Sequence, residues 1–274
     1  MNERVYRVAA LANALAYDAG ASLKYVEGAP HIKHAELRNL YAKLVVQVFD
    51  NAKAHTATPV VLDLGAGEGS VTLPFLELGA SVLAIDISPE QLEVLKTKCA
   101  DYADRLEVRC EDISATLQDG SRKYDIIVAN SFLHHVPDYL GMLKSAAMAL
   151  GPHGQIFSFQ DPLRYDTLGK TSRIFSGLAY FAWRVFRGDV IGGLRRRMRR
   201  ARGVYLEDSV ADNAEYHVTR NGVDQEAISE LLEGLGFECE IVPYFSTQSS
   251  VFQPLGSILG VENTFAIVAK KRSL

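Results

Sequence analysis

The stretch VVLDLGAGEGS, residues 60–70, joins an apolar run to three glycines and two acids. Gly65, Gly67 and Gly69 would let a ligand approach the backbone, because any side chain would fill that space. A dinucleotide fingerprint has the spacing G-x-G-x-x-G and holds a pyrophosphate against a helix N-terminus. This loop instead reads G-x-G-x-G, and Glu68 would repel a phosphate there. With Asp63 also beside it, the loop predicts a ligand that is not anionic at this point.

Two further acids end the next two predicted strands. Asp86 ends the strand in SVLAIDIS, where a carboxylate can accept both hydroxyl groups of a ribose, and Asp112 ends VRCEDI, where it can accept an adenine amine. In a doubly wound sheet, such positions meet at the carboxyl ends of the strands beside the topological switch point. A ligand with a ribose, an adenine and a cationic remainder fits all of these acids. S-adenosylmethionine is one such ligand.

Short β-rich runs alternate with helical patterns after about residue 56, which is typical of a parallel sheet with crossover helices. The predicted strands are 60–64, 81–86, 106–110, 124–130, 154–160, 237–244 and 264–270. The predicted helices are 69–78, 89–102, 138–150 and 223–235, the second begun by Ser88 as N-cap with Pro89 at its first position. The fold class is therefore α/β, with a doubly wound, Rossmann-like, mostly parallel sheet of seven strands.

Two segments lie outside this alternation. Residues 1–55 have a helical pattern, and residues 162–221 are too long for an ordinary connection. The apolar positions between Val5 and Ala16 favour an amphipathic helix over a signal peptide. We therefore predict a helical N-terminal cap (1–55), an S-adenosylmethionine-binding core (56–161), an inserted substrate lid (162–221) and the C-terminal part of the core sheet (222–274).

The motifs together resemble those of the class I S-adenosylmethionine-dependent methyltransferases of the small-molecule type. LDLGAGEG is similar to that family's glycine motif, AIDIS to its acidic second strand, CEDI to its adenine-binding turn, and YDIIVANSFLHHV to its fourth strand. Four motifs in order at suitable spacing are a stronger signal than any one of them. The resemblance covers residues 58–160, and the later helix and two strands are consistent with it.

The resemblance implies a role for each position of the donor site. The three glycines line the methionine portion of S-adenosylmethionine, Asp63 organises its amino group, and Asp86 holds the ribose. Ile87 packs on the adenine, Asp112 and the amide of Ile113 contact its edge, and the carbonyl of Asn130 faces the methionine end. The alternative at each position is structural: a tight turn, a helix cap or a core side chain.

Catalysis of methyl transfer needs a nucleophile held in line with the methyl group. A neutral hydroxyl or carbon acid must also lose a proton, for which histidine is well suited. His134 and His135 follow the fourth strand, and we take His135 as the candidate base. The alternative is that both histidines cap the helix beginning near Asp138.

The predicted insertion carries the candidate residues for the methyl acceptor. Ile174, Leu178, Phe181 and Val185 repeat at helical spacing, which fits either a lid over an apolar substrate or a helix packed on the core. An arginine-rich run, LRRRMRRARG, follows and could meet an anionic group, an anionic membrane surface or only solvent. Phe181, Tyr216 and His217 are the candidate substrate contacts.

Composition limits the function classes. The net charge of −4 does not point to nucleic acid, and the chain has NSFL where amino-methyltransferases of nucleic acids typically have an N/D-P-P-aromatic run. Three scattered cysteines predict neither a zinc site nor a disulfide framework, and with no apolar run of membrane-spanning length they favour the cytoplasm. No metal is expected.

The sequence therefore predicts a methyltransferase that acts on a small-molecule acceptor, such as a natural-product intermediate. A lipid or quinone methyltransferase that docks on a membrane through the insertion is an alternative, as is a non-catalytic S-adenosylmethionine-binding protein. A nicotinamide oxidoreductase would share the sheet but conflicts with the glycine spacing. The acceptor, the methylated atom and the oligomeric state stay open.

Overall fold

A seven-stranded sheet organises the computed structural model, which describes residues 29–187 and 221–272. The strands are β1 Val60–Leu64, β2 Ser81–Asp86, β3 Leu106–Cys110, β4 Tyr124–Asn130, β5 Leu150–Pro162, β6 Phe237–Tyr244 and β7 Thr264–Lys271. Their order is β3-β2-β1-β4-β5-β7-β6. The first five strands pair in parallel, whereas β7 lies antiparallel between β5 and β6. The strand order reverses between β1 and β4, which places the switch point there.

Helices cover both faces of the sheet. They are α1 Pro30–Lys33, α2 Ala35–Lys53, α3 Thr72–Leu78, α4 Pro89–Lys98, α5 Ile113–Asp119, α6 Tyr139–Ala149, α7 Lys170–Arg187, α8 Gln225–Gly234 and α9 Phe252–Ile258. Short 3-10 turns span Ala100–Arg105 and Leu133–His135. Apolar residues of α2 and α3 pack on one face, with α4 towards its β3 edge, while α5, α6 and α8 pack on the other.

The central strands are buried on both faces. In β1, Val61 packs towards α2 while Leu62 and Leu64 pack towards α6. This double burial explains why the strand reads as an unbroken apolar run up to Asp63. Asp63 shares the α2 side with Val61, because side chains alternate along a strand. A carboxyl group is thereby carried into the core at the end of the central strand.

The predicted fold class is confirmed, and most predicted strands match in their bounds. Ser88 caps α4 as predicted, its hydroxyl accepting from the Gln91 amide at 3.3 Å. The helix expected from residue 69 begins at Thr72, because the preceding residues form the turns of the glycine loop. The helix expected to reach residue 102 ends at Lys98, and a 3-10 turn follows. Helices α5 and α9 were not predicted.

The two unusual segments are only partly described. Helices α1 and α2 lie within the predicted N-terminal cap, and α7 is the helix predicted in the insertion. The amphipathic pattern from Val5 to Ala16, the arginine run, Tyr216 and His217 lie outside the described residues.

Gln155 joins α2 to the sheet. Its side chain is fully buried in β5, its amide donates to the Val48 carbonyl at 3.0 Å, and its Oε1 accepts from Asn51 at 3.3 Å. Both partners belong to α2, so this one side chain fixes the height of that helix over β5.

Gln155→Leu should lower the free energy of unfolding by about 1–3 kcal/mol, because it removes a partner from a buried carbonyl and from the Asn51 amide. Urea unfolding measures this loss. Gln47→Leu is the matched control, since Gln47 makes only an exposed 3.4 Å contact from α2 to Glu240, and its effect should stay within about 0.5 kcal/mol. Equal effects of the two substitutions would contradict the assignment.

Candidate functional site

The glycine loop after β1 turns back on the end of β2. The amides of Gly65 and Ala66 both donate to the Ile85 carbonyl at 2.9 Å. Gly65 and Gly67 have φ values of +70° and +52°, a conformation that disfavours other residues. A Cβ on Gly65 would lie 2.2 Å from the Phe132 ring, whereas a Cβ on Gly67 would meet no atom of the described residues within 4 Å. Gly65 is thus closed over by Phe132, whereas the space beside Gly67 is filled by no described residue.

Asp86 braces this loop from the end of β2. Its Oδ2 accepts from the Gly67 amide at 2.8 Å and its Oδ1 from the Ser88 amide at 2.9 Å. It is not the cap of α4, since Ser88 has that role. The carboxylate therefore ties the glycine loop to the loop after β2, at the position where the resemblance expects a ribose.

Glu68 is paired within the protein. Its Oε2 lies 2.7 Å from Nζ of Lys98 at the end of α4, and the residue is 9% exposed. The ion pair offsets much of its charge, so the repulsion of a phosphate by Glu68 is weaker than the sequence alone suggests. Exclusion of a dinucleotide depends more on the glycine spacing.

Asp63 is the most deeply buried acid of the loop. Its Oδ2 accepts from the Thr72 hydroxyl at 2.7 Å, while its Oδ1 has no hydrogen-bond partner among the described residues. Desolvation, aided by the nearby charge of Asp86, raises its pKa from 3.8 to about 7. A cationic group placed at Oδ1 would favour the charged form.

The predicted adenine side is partly occupied by helix capping. Asp112 is the N-cap of α5, and its Oδ1 accepts from the Ser114 amide at 2.8 Å and from the Ser114 hydroxyl at 2.5 Å. Ile113 is 5% exposed and packs in the core, and Ile87 is partly buried. The structural alternative is therefore present at Asp112 and Ile113, without excluding a ligand at the second carboxylate oxygen or at the Ile113 amide.

The ends of β4 and β5 meet beside the switch point. Asn130 ends β4, and its buried Oδ1 has no hydrogen-bond partner among the described residues. The next residue, Ser131, has φ +51°, and its amide donates to the Phe159 carbonyl at 2.6 Å. Such backbone conformations in non-glycine residues are uncommon and concentrate at functional sites.

A β-bulge at the end of β5 turns Asp161 towards His134. The β5–β7 register shifts between Ser158 and Asp161, and Gln160 within this bulge has φ +69°. Asp161 is fully buried, and its Oδ1 lies 2.8 Å from His134 Nδ1 while its Oδ2 accepts from the Ser158 hydroxyl at 2.7 Å. The described structure therefore contains a buried histidine–aspartate pair.

His135, the candidate base from the sequence, lies beside this pair. It is 9% exposed, and its ring centroid is 4.0 Å from that of His134. Neither histidine caps α6, because Asp138 is the N-cap and accepts from the Gly141 amide at 3.0 Å. The sequence could not single out His134, since its partner is 27 residues away and is aimed by a bulge.

Two side chains near the site were not singled out from the sequence. His31 of α1 and Tyr41 of α2 are 7% and 9% exposed. Their rings surround that of Phe159 at the end of β5. Tyr41 lies on the apolar stripe of α2 with Leu37 and Leu44, so its pattern is that of an ordinary core residue.

The predicted acceptor residues are placed only in part. Phe181 is on α7 with its side chain 57% exposed, in line with the exposed Ile174, Leu178 and Val185. The opposite side of α7 packs through Phe175 and Ala179 against Phe245, Phe252 and Val261. The apolar stripe is thus uncovered by any residue in the described ranges.

The sheet order, the glycine loop and the acids at the ends of β1 and β2 define the class I methyltransferase fold. Residues 62–156 match a family model described as a methyltransferase domain, so this part of the chain resembles the class I, S-adenosylmethionine-dependent methyltransferases. A ubiquinone biosynthesis O-methyltransferase of Xanthomonas campestris pv. campestris (strain B100) is 29% identical over 129 residues, 46% of this chain and 51% of that protein. The chain thus spans about half the length of such curated relatives.

Solved structures show the same fold over nearly the whole chain. Magnesium protoporphyrin IX methyltransferase from Synechocystis PCC 6803 with bound SAH has a TM-score of 0.55 at 14% identity, covering 96% of this chain and 100% of that one. A plantazolicin methyltransferase in complex with a triazolic desmethylPZN analog and SAH has a TM-score of 0.56 at 14% identity, covering 98% and 97%.

Histidines, cysteines and acids in residues 29–187 and 221–272 form no group of three or more that could hold a metal ion. In the same ranges no helix combines the length and the apolar character needed to cross a membrane.

The raised pKa of Asp63 makes the stability of the ligand-free protein depend on pH. The folded state binds this proton more tightly than the unfolded chain, so the associated stability is present below about pH 4 and is lost as the pH rises towards the folded pKa of about 7. Asp63→Asn cannot ionise and should gain stability relative to wild type across this window. The gain should be a few kcal/mol, since one pKa unit corresponds to about 1.4 kcal/mol.

Chemical unfolding of both proteins at several pH values between about 4 and 8 measures this difference. Asp50→Asn, on the exposed face of α2, controls for the loss of one negative charge. A difference between wild type and Asp63→Asn that does not change with pH would rule out a buried, ionising Asp63.

Proposed function

We propose that this protein is an S-adenosylmethionine-dependent methyltransferase acting on a small-molecule acceptor, with a hydroxyl oxygen as the methylated atom. The observation that carries the proposal is the loop at the switch point. There the space beside Gly67 is filled by no described residue, and the Asp86 carboxylate accepts a hydrogen bond from the Gly67 amide. The matched methyltransferase domain supports the reaction. The O-methyltransferase relative supports oxygen over nitrogen or carbon.

The donor site that we propose keeps the residues inferred from the motifs. The fit is supported by the buried, unpartnered Oδ1 of Asp63, which suits the donor's ammonium, and by the space at Gly67 that a Cβ would fill. Asp86 would hold the ribose. The remaining contacts are Gly65, Gly69, Ile87, Asp112, Ile113 and Asn130.

The donor, when bound, supplies a methyl group on a sulfonium sulfur, which leaves with the electron pair of the broken bond as a neutral thioether. The protein's own task is then to orient the acceptor oxygen in line with that bond and to remove its proton. It must also exclude water from the reacting atoms.

For proton removal we infer His134, held by Asp161, in preference to His135. Donation of the Nδ1 proton of His134 to Asp161 leaves the lone pair on Nε2. A buried carboxylate that orients an imidazole in this way also stabilises the imidazolium formed after proton transfer. His135 stays the second candidate, because its ring is in contact with that of His134.

The acceptor side is assigned to the insertion. The exposed stripe of α7, with Phe181 at its centre, favours an apolar or aromatic acceptor. Tyr216 and His217 remain proposed contacts. In this division of the chain, residues 56–161 and 222–274 form the core, residues 1–55 the cap and residues 162–221 the lid.

A lipid or quinone acceptor reached by peripheral docking on a membrane is the second candidate function. It is favoured by the same uncovered stripe on α7 and by the arginine run that follows α7 in the sequence. Nucleic acid is not a proposed partner. Three free cysteines fit the proposed cytoplasmic location.

The donor assignment is tested by calorimetry with S-adenosylmethionine, its demethylated product and NAD. The first two ligands should bind and NAD should not. Gly67→Ala should weaken donor binding at least about tenfold, because its Cβ enters the space assigned to the ligand. The left-handed φ of Gly67 costs an alanine about 1–2 kcal/mol, but the chain carrying it should stay folded, since that Cβ meets no described atom within 4 Å.

Transfer of labelled methyl from S-adenosylmethionine into the small-molecule fraction of a cell extract then separates an enzyme from a silent donor-binding protein. Saturable NAD binding without donor binding would overturn the function.

The base assignment is tested with His134→Ala, Asp161→Asn and His135→Ala in the same transfer assay. His134→Ala should lower the rate by about 10²–10⁴, the usual contribution of a general base, with donor affinity unchanged. Asp161→Asn should also lower the rate and shift its pH profile, because the imidazole loses its charged partner. A larger loss from His135→Ala than from His134→Ala would exchange their roles.

A further inference from the structure

The first two helices bring a histidine and a tyrosine over the ends of the central strands. His31 and Tyr41 are buried, and neither Nδ1 of His31 nor the hydroxyl of Tyr41 has a hydrogen-bond partner among the described residues. Most buried polar groups in proteins are hydrogen-bonded, because leaving one without a partner costs stability. Two such atoms lie on neighbouring side chains, and Oδ1 of Asp63 is a third atom of this kind. The three atoms therefore require an explanation.

Aromatic packing holds both rings in place. The centroid of the Tyr41 ring lies 5.1 Å from that of Phe159 and 6.1 Å from that of Phe157. The centroid of the His31 ring lies 6.2 Å from that of Phe159 and 6.3 Å from that of Tyr41. Phe159 in turn stacks on Tyr244 at 5.0 Å. The polar atoms are therefore carried on fixed rings.

Packing places these rings beside the glycine loop, because Tyr41 belongs to the same buried cluster as Val61 of β1 and Val71 after the loop. The pKa of the Tyr41 hydroxyl is raised by burial and by the carboxylate of Asp63, and the pKa of His31 is lowered by burial to about 4 against the opposing effect of Glu68. His31 is accordingly neutral at physiological pH and keeps one proton to donate. Asp63, Asp86 and Glu68 with its partner Lys98 are the charged groups of this edge.

The three partnerless atoms match the two ends of an amino acid zwitterion. Oδ1 of Asp63 can only accept when ionised, which suits an ammonium group. The Tyr41 hydroxyl and a neutral imidazole can both donate, which suits a carboxylate. The ammonium and carboxylate groups of one amino acid therefore match the three atoms in hydrogen-bonding character.

We propose that His31 and Tyr41, descending from α1 and α2, bind the α-carboxylate of the methyl donor while Asp63 binds its α-ammonium. The inference rests on the proposed function and extends it, because it adds the N-terminal helices to the donor site. The sequence motifs assigned that site only to residues between Asp63 and Asn130. Helices α1 and α2 then form a roof over the amino acid end of the donor, leaving the insertion to the acceptor.

The test compares two ligands that differ at that end. S-adenosylhomocysteine carries the amino acid group, whereas 5′-methylthioadenosine keeps the adenine, ribose and sulfur without it. Wild type should bind S-adenosylhomocysteine more tightly than 5′-methylthioadenosine. Tyr41→Phe should weaken S-adenosylhomocysteine about tenfold, the usual effect of losing a hydrogen bond to a charged group, and leave 5′-methylthioadenosine unchanged.

Thermal unfolding of the ligand-free protein gives an independent readout. Since the Tyr41 hydroxyl has no partner among the described residues, Tyr41→Phe should leave the unfolding temperature unchanged or raise it. Tyr244→Phe is the matched control, because its hydroxyl accepts from the Gln160 amide at 2.9 Å on the other side of Phe159. It should lower the unfolding temperature and leave the ratio of the two affinities intact.

Each result decides between the alternatives. A selective loss of S-adenosylhomocysteine binding in Tyr41→Phe, repeated in His31→Gln, supports the proposal. An unchanged affinity ratio in a folded Tyr41→Phe, or a clear loss of stability in the ligand-free variant, overturns the assignment of His31 and Tyr41 to the donor's carboxylate. The proposed function is then unaffected. Failure of both ligands to bind wild type overturns the proposed function together with it.

Discussion

Burial of one carboxyl group at the end of the central strand governs the arrangement around the site. Asp63 is carried into the core because it alternates with fully buried apolar residues in β1. Desolvation of that group must be offset, and the described protein offers a single hydrogen bond from Thr72 to one of its oxygens. The other oxygen has no partner among the described residues, and the proposed donor would place its ammonium group there.

The sheet could be predicted because its strands obey simple rules. Parallel strands covered on both faces read as apolar runs, and their ends are marked by acids or glycines, as at Asp63 and Asp86. Helix α5 was missed because its capping residue, Asp112, had already been interpreted as a ligand contact, and because the helix has only seven residues. Helix α9, of the same length, shows too few turns for a periodic pattern.

The candidate site was predictable only where its residues stand close together in the sequence. Gly67 and Asp86 stand in motifs that can be recognised locally. The pair of His134 and Asp161 depends on a one-residue bulge, and the packing of Tyr41 on Phe159 depends on the height of α2 above β5. Neither the bulge nor the height leaves a periodic signal in the sequence, because both are set by contacts between distant segments.

The bulge in β5 also ties the catalytic side of the molecule to the end of the chain. Its backbone at Gln160 is pinned by the Tyr244 hydroxyl from β6, and β7 must insert between β5 and β6 to complete the pairing. During synthesis the proposed donor-binding loops leave the ribosome before β6 and β7 do. A nascent chain can therefore assemble a place for the donor while Asp161 still lacks its final backbone support. In the proposed assignment, the order of translation separates donor recognition from the ability to remove a proton.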